Sequence, residues 1–126
     1  MTGAEALARA RAVTEVPFRL HGRAPDRGFD CVGLVAYAWR VDAPTGYAMR
    51  GAPRDRIERV LGDLGFVPAD PLPGAPGAVA LIAAGPGQLH LGVATGAGVI
   101  HADAAARCVV ERAAPLPWPI LAAWIR

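Results

Sequence analysis

Three side chains in this sequence have the types and spacing for covalent catalysis. Cys31 follows Asp30 at the start of a predicted helix. Unpaired amides and the helix dipole at such a start stabilise an anion, lower a thiol pKa and favour the nucleophilic thiolate. The same amides suit the oxyanion of a tetrahedral intermediate. Asp30 opposes the effect, because its charge raises the thiol pKa unless the carboxylate caps the helix. His90 falls in a predicted strand and His101 near the end of the next, eleven residues on. Across a hairpin the two are neighbours, so His101 could hold the His90 ring in position. Gly28 and Gly33 leave room beside the thiol for a substrate.

Competing chemistries are thinned by what is missing. The 126 residues include no Ser, no Asn and no Lys. A Ser-His-Asp hydrolase, a lysine Schiff base and a phosphate-binding Walker lysine are therefore excluded. Thr2 and Thr14 flank the first helix, and Thr45 and Thr95 sit in turns. Each candidate taken alone also has a plainer explanation: Cys31 as a small core residue, His90 and His101 as surface or satisfied histidines. Together, a cysteine at a helix start and two histidines on adjacent strands form the Cys-His-X set of a papain-like thiol hydrolase. One Cys and two His could instead hold zinc with an open position, but no Cys-x-x-Cys or His-x-x-x-His accompanies them.

The elements that must position these residues divide the chain in two. Thr2 with Glu5 fits a capping box that starts a helix running to about Val13. Residues 17–29, with Gly22, Pro25 and Gly28, read as a loop. A second helix starts after Asp30, carries Leu34, Val35, Ala38 and Trp39 at helical spacing, and stops near Pro44. A third has Pro53 at its first position, an apolar stripe of Ile57, Val60, Leu61 and Leu64, and Gly65 just past its end. Pro68, Pro71, Pro73, Gly74, Pro76 and Gly77 then read as an extended linker. Five strands follow, at 78–83, 88–94, 98–102, 108–112 and 120–125, joined by hairpin-like turns at 85–87 and 95–98. Leu89, Leu91 and Val93 alternate with His90, Gly92 and Ala94, which places His90 opposite the apolar face. Helices followed by an antiparallel meander predict an α+β domain spanning 1–126, with N-terminal helices packed on a C-terminal antiparallel sheet.

Composition bounds the partners. Apolar residues make up 53% and charged residues 19%, which excludes a disordered chain. All 13 basic residues are Arg against 11 acids, a balance too mild and too scattered for nucleic acid. The longest apolar run, 78–84, is far short of a membrane span. Residues 1–18 lack the apolar stretch of a secretory signal. The expectation is a soluble protein synthesised in the cytoplasm, with no cofactor and no metal. Cys31 and Cys108 could pair, but that compartment is reducing, and Cys108 reads as a strand residue of the core.

The motifs resemble a known family. Pro17-Phe18-Arg19-Leu20-His21-Gly22, followed by Gly28-Phe29-Asp30-Cys31-Val32-Gly33-Leu34-Val35, resembles the nucleophile region of the NlpC/p-sixty family of papain-like bacterial cell-wall cysteine peptidases. Its usual form is an aromatic-x-x-G-G loop leading to D-C-S-G-L/F-V. Gly77-Ala78-Val79-Ala80-Leu81 resembles the family's G-D-x-x-x-F strand, His90-Leu91-Gly92-Val93 its H-V-G-I strand, and Val99-Ile100-His101-Ala102 its I-H-A strand. The order is preserved over nearly the whole chain.

The resemblance implies a papain-like, NlpC-type fold with Cys31 as nucleophile, His90 as general base and His101 as the orienting third residue. It also implies peptidoglycan stem peptides as substrate, cleaved at the γ-D-glutamyl bond to diaminopimelate. The Pro-Phe-Arg loop most resembles versions carried on phage tails and gene-transfer particles, whose proteins would then be partners. A non-catalytic structural or wall-binding tail protein of the same fold is the alternative. The family's usual loop Tyr is Phe18 here, the Ser after its Cys is Val32, and the Asp of its G-D strand is Ala78. Phe18 lacks the hydroxyl that helps bind the oxyanion, which leaves the Cys31 amide, with His21 beside it as a candidate helper. Arg19, Arg23 and Arg27, in the loop before Cys31, are candidate partners for substrate carboxylates.

Overall fold

The computed structural model describes residues 1–47, 52–71 and 74–126; Pro73 of the expected linker lies outside them. Helix α1, Gly3–Arg11, begins with the expected capping box. The Glu5 amide donates to Thr2 Oγ1 at 3.1 Å, and the Thr2 amide donates back to Glu5 Oε2 at 3.2 Å. Helix α1 buries Ala6, Leu7 and Ala10. Its neighbour α2, Cys31–Trp39, is apolar almost all round and buries Leu34, Val35, Ala38 and Trp39. A helix with that pattern belongs at the centre of a core rather than on its surface.

Two helix ends differ from the sequence expectation. Helix α2 stops at Trp39 rather than near Pro44, because Arg40 takes a left-handed conformation with φ 54°. The Val41 amide then closes the end by donating to the Ala36 carbonyl at 3.0 Å. Helix α3, Arg54–Asp63, starts one residue later than expected, with Pro53 as its cap rather than its first position. Its C-terminal end is as read: Gly65 follows with φ 90°, a conformation that a Cβ would strain.

The presumed loop at 17–29 contains a small ladder, β1 (Arg23–Ala24) paired antiparallel with β2 (Gly28–Phe29). The presumed linker contributes a strand too, β3, Val67–Ala69. It pairs with β8, Ile120–Ile125, at the rim of the sheet. Pro68 is tolerated there because an edge strand does not need every N–H. Between them run β4 (Val79–Gly85), β5 (Gln88–Ala94), β6 (Gly98–Asp103) and β7 (Cys108–Ala113). The order is β3-β8-β4-β5-β6-β7, with the paired strands antiparallel. Thus β4 to β7 form the expected meander, while β8 returns to pair with β4 on its other side. The fold is α+β, three helices and a six-stranded antiparallel sheet among the described residues.

The sheet has two covered faces. Val79, Leu81, Leu91, Val93, Ile100 and Val109 join α1 and α2 in the main core. Ala80, Ile82 and Val99 form a smaller cluster under Leu116, Trp118 and Ile120. Strands β5 and β6 pair only at Val93–Ile100 and Ala94–Val99, so they part toward the end that carries His90 and His101.

One glycine fixes how the start of α2 sits. A Cβ on Gly33 would lie 1.8 Å from the Gly22 carbonyl oxygen and 3.0 Å from Arg23 Nη1. The helix start and the 21–23 segment therefore pack backbone on backbone, and neither can move without displacing Cys31. Gly33→Ala is expected to destabilise the fold by about 3 kcal/mol or more, since overpacking against backbone relaxes poorly. Urea unfolding measures this, and an unchanged midpoint would contradict the close approach.

Candidate active site

Asp30 is the organising residue. It is only 2% exposed, yet each carboxylate oxygen is engaged. Oδ1 accepts from the Gly33 amide at 2.8 Å, capping α2, and from Arg23 Nη1 at 3.0 Å. Oδ2 accepts from the His21 amide at 2.8 Å and from the Tyr47 hydroxyl. Arg23 also donates to the Gly22 and Pro44 carbonyls and to the Tyr47 oxygen. Burial of a charge this deep requires such pairing. The consequence is a rigid knot immediately before Cys31.

A cavity of about 650 Å³ opens beside this knot. Cys31, His90 and His101 all line it, together with Phe18, Asp30 and Tyr47. Most of its remaining wall is apolar, supplied by Val32, Val35 and Leu89, by Ile57 and Val60 of α3, and by Leu64 just past the end of that helix. The three residues expected to do chemistry therefore share one cavity. His90 Nε2 lies 2.8 Å from His101 Nδ1, so the expected contact between the two imidazoles is present. His101 Nε2 accepts from Arg112 Nε at 3.0 Å, and Arg112 Nη2 donates to Asp103 Oδ2 at 2.8 Å. The Trp118 ring meets His101 edge-on at 5.3 Å and lies beneath the Arg112 guanidinium at 5.4 Å.

The other nominated residues are placed differently. Phe18 is on the cavity wall, but His21 and Arg23 are not among its lining residues. His21 Nε2 lies 2.9 Å from the Tyr47 carbonyl oxygen, and Arg23 is held by Asp30. Arg19 and Arg27 are exposed and do not line the cavity. The cation among the described lining residues is Arg56 on α3. Sequence reasoning also missed Tyr47, Asp103, Arg112 and Trp118. The β6–β7 register, with His101 opposite Val110, was the available signal for Arg112. Nothing local in the sequence marks Tyr47.

Electrostatics corrects one expectation. Burial pushes the Cys31 thiol up to about 11, outweighing the Leu91, Val32 and Cys31 amides that lower it. Asp30 adds to the rise even while capping the helix. The resting group is a neutral thiol, and among the described residues neither imidazole is hydrogen-bonded to it. Burial also lowers His90, against the pull of Asp103 and Asp30. His101 is lowered to about 4 by burial, then by His90 and Arg112, with Asp103 opposing. Both imidazoles are neutral at pH 7. Asp103 resists its own burial and falls below the usual carboxylate range through Arg112 and the Ala106 and Ala105 amides.

This state has a direct chemical signature. Only the thiolate alkylates, so Cys31 labelling by iodoacetamide should rise about tenfold per pH unit from pH 7 toward 10. Peptide mapping by mass spectrometry reads the rate. A plateau near neutral pH would instead reveal a preformed thiolate. Cys31 and Cys108 are both free thiols. Among the described residues no group of three His, Cys, Asp or Glu is arranged to hold a metal ion. No helix among them is long and apolar enough to cross a membrane.

No protein-family model matches the chain, and no curated protein matches it. Solved structures do. NlpC2 from Trichomonas vaginalis superposes with a TM-score of 0.70 at 21% identity, covering 98% of this chain and 48% of that one. NlpC1 from the same organism gives 0.70 at 21%, covering 98% of this chain and 45% of that one. The NlpC/p60 domain of the peptidoglycan hydrolase SagA gives 0.65 at 23%, covering 100% of both. This chain spans about half the length of the two Trichomonas proteins. The fold is thus that of NlpC/p60 domains, as the sequence motifs implied.

Proposed function

We propose that the protein is a cysteine peptidase of the NlpC/p60 kind that hydrolyses peptidoglycan stem peptides. The observation that carries this reading is the convergence of the helix-start thiol and the His90–His101 pair on one cavity. His90 Nε2 is engaged by His101 and Nδ1 has no hydrogen-bonding partner among the described residues, so Nδ1 is the nitrogen that serves the thiol once it presents a lone pair. In the proposed reaction Cys31 Sγ attacks the scissile carbonyl carbon as its proton passes to His90. The Cys31 and Val32 amides at the helix start, which already turn toward the sulfur, receive the oxyanion. Phe18 offers no hydroxyl, and Tyr47 donates its own to Asp30. His90 returns the proton to the leaving amine as the C–N bond breaks. Water then attacks the thioester, giving its proton to His90, which passes it to the departing sulfur.

The γ-D-glutamyl bond to diaminopimelate is the proposed site of cleavage, and Arg56 is the cation suited to the carboxylates beside it. Arg56→Ala is expected to raise KM for a carboxylate-bearing stem peptide about tenfold, with kcat nearly unchanged. The amidated peptide should show no such change, and equal effects on both would remove Arg56 from recognition. The Pro-Phe-Arg loop supports carriage on a phage-tail or gene-transfer particle to the wall, testable by co-purification with such particles.

The deciding experiment is incubation of the protein with purified peptidoglycan and mass spectrometry of the soluble fragments. New termini at the D-Glu–diaminopimelate junction are expected. Binding to the sacculus without any fragment would favour the non-catalytic, wall-binding reading, to which the neutral resting thiol lends some support.

A further inference from the structure

Arg112 imposes a proton arrangement on the two histidines. A guanidinium is a donor at every nitrogen and is never deprotonated in a protein. Arg112 Nε is 3.0 Å from His101 Nε2, so that nitrogen must present its lone pair. Neutral His101 then carries its proton on Nδ1 and donates it to His90 Nε2, 2.8 Å away. His90 Nε2 is therefore an acceptor too, and neutral His90 carries its single proton on Nδ1. That is the nitrogen needed as the base. The reverse arrangement, with His90 donating from Nε2 to His101 Nδ1, would turn His101 Nε2–H against Arg112 Nε–H.

We propose that Arg112 is a positioning residue that holds the histidine pair in its non-basic tautomer, and that its bond to His101 must open before His90 can accept the thiol proton. The arrangement also blocks a charged His90, since His90 with both nitrogens protonated would set Nε2–H against His101 Nδ1–H. Disfavouring the imidazolium disfavours its thiolate partner, in keeping with a neutral resting Cys31. The charged groups that act on the pair are Asp103 on β6, Arg112 on β7 and Asp30 before α2. Asp103 is the release point. It holds Arg112 through Oδ2 and lines the cavity, so a substrate cation that engages this carboxylate competes directly with Arg112.

The role of the pair rests on the peptidase reading, but the proton arrangement does not, and it is measured without substrate. Long-range proton–nitrogen correlation spectra of uniformly 15N-labelled protein at pH 7 distinguish Nδ1–H from Nε2–H histidines. In the wild type both His90 and His101 are expected as Nδ1–H. Arg112→Gln, whose amide can accept as well as donate, should move both toward Nε2–H. Arg112→Lys, which can only donate, should keep the wild-type pattern. Alkylation of Cys31 at pH 7 should rise about tenfold in Arg112→Gln and stay near the wild-type rate in Arg112→Lys. An Nε2–H tautomer at His101 in the wild type overturns the proposal, and that measurement requires no variant to fold. So does an unchanged alkylation rate in a folded Arg112→Gln whose tautomers have shifted. Absence of peptidoglycan cleavage alongside the expected spectra would reject the peptidase reading and leave the tautomer assignment standing.

Discussion

Replacing Cys31 with alanine is expected to lower stem-peptide cleavage by roughly 10⁵-fold or more, because no other thiol lines the cavity among the described residues to form the proposed acyl-enzyme. His90→Ala should cost about as much. In the proposed mechanism Cys31 and His90 act as one unit, so the double variant should be little worse than either single one. Comparing the three rates distinguishes this mechanism from direct attack by water, for which loss of Cys31 would be nearly silent. The alanine at 31 removes one half-buried sulfur and touches neither the cap nor the Asp30 knot. Its urea stability should therefore stay within ~1 kcal/mol of wild type. Activity loss with preserved stability is the expected pair of results, and retained activity would end the thiol mechanism.

Asp30→Ala is expected to have the largest effect on stability, a loss of about 3–5 kcal/mol, read from the urea midpoint. Removing one partner of a buried ion pair leaves the other charge uncompensated, which is costlier than the net worth of the pair. Here Arg23 would lose Asp30, and the Gly33 and His21 amides and the Tyr47 hydroxyl would lose their acceptor in the same step. Asp30→Asn tests the charge separately. It can still accept from Gly33, so the cap survives while the ion pair with Arg23 does not. In the fraction that folds, both variants should alkylate faster at Cys31, since Asp30 raises the thiol pKa. A midpoint close to wild type in Asp30→Ala would show that the knot is not structural.

The helix-start thiol, the strand positions of the two imidazoles and the α+β order were legible because each is a local signal. Asp30-Cys31 reads as a cap and a first helical residue, and Leu89 to Val93 alternates strongly enough to place His90. The Phe18 loop and the closing Gly65 were legible for similar reasons. What escaped was created by pairing between distant segments. β3 was hidden by Pro68, which argues against a strand unless the neighbour on one side is known to be absent. Arg112 looked like one scattered arginine among 13. Only the register that sets His101 opposite Val110 brings it diagonally beside the imidazole. The cations suggested for substrate, Arg19, Arg23 and Arg27, were chosen by proximity in sequence to Cys31. The backbone turns them elsewhere and brings Arg56 to the cavity from a helix over twenty residues away. The thiol's ionisation was misjudged for a related reason: a helix start lowers a pKa, but burial depends on what folds over it.

Both rims of the sheet are blunted, which bears on how the protein behaves at high concentration. On one side Pro68 brings no N–H to the outermost strand, and β3 is only three residues long. On the other, the 15–18 segment lies along β7, with Glu15 and Phe18 amides donating to Val109 and Arg107 carbonyls at 2.8 and 2.9 Å. The Val109 amide is returned to the Val16 carbonyl at 2.9 Å. An open rim is a template on which another copy can add a strand and seed aggregates. Here the loop that leads into Cys31 doubles as a guard for that rim. Substitutions in 15–18 would therefore threaten colloidal solubility as well as the shape of the cavity, a link between two properties that are ordinarily engineered apart.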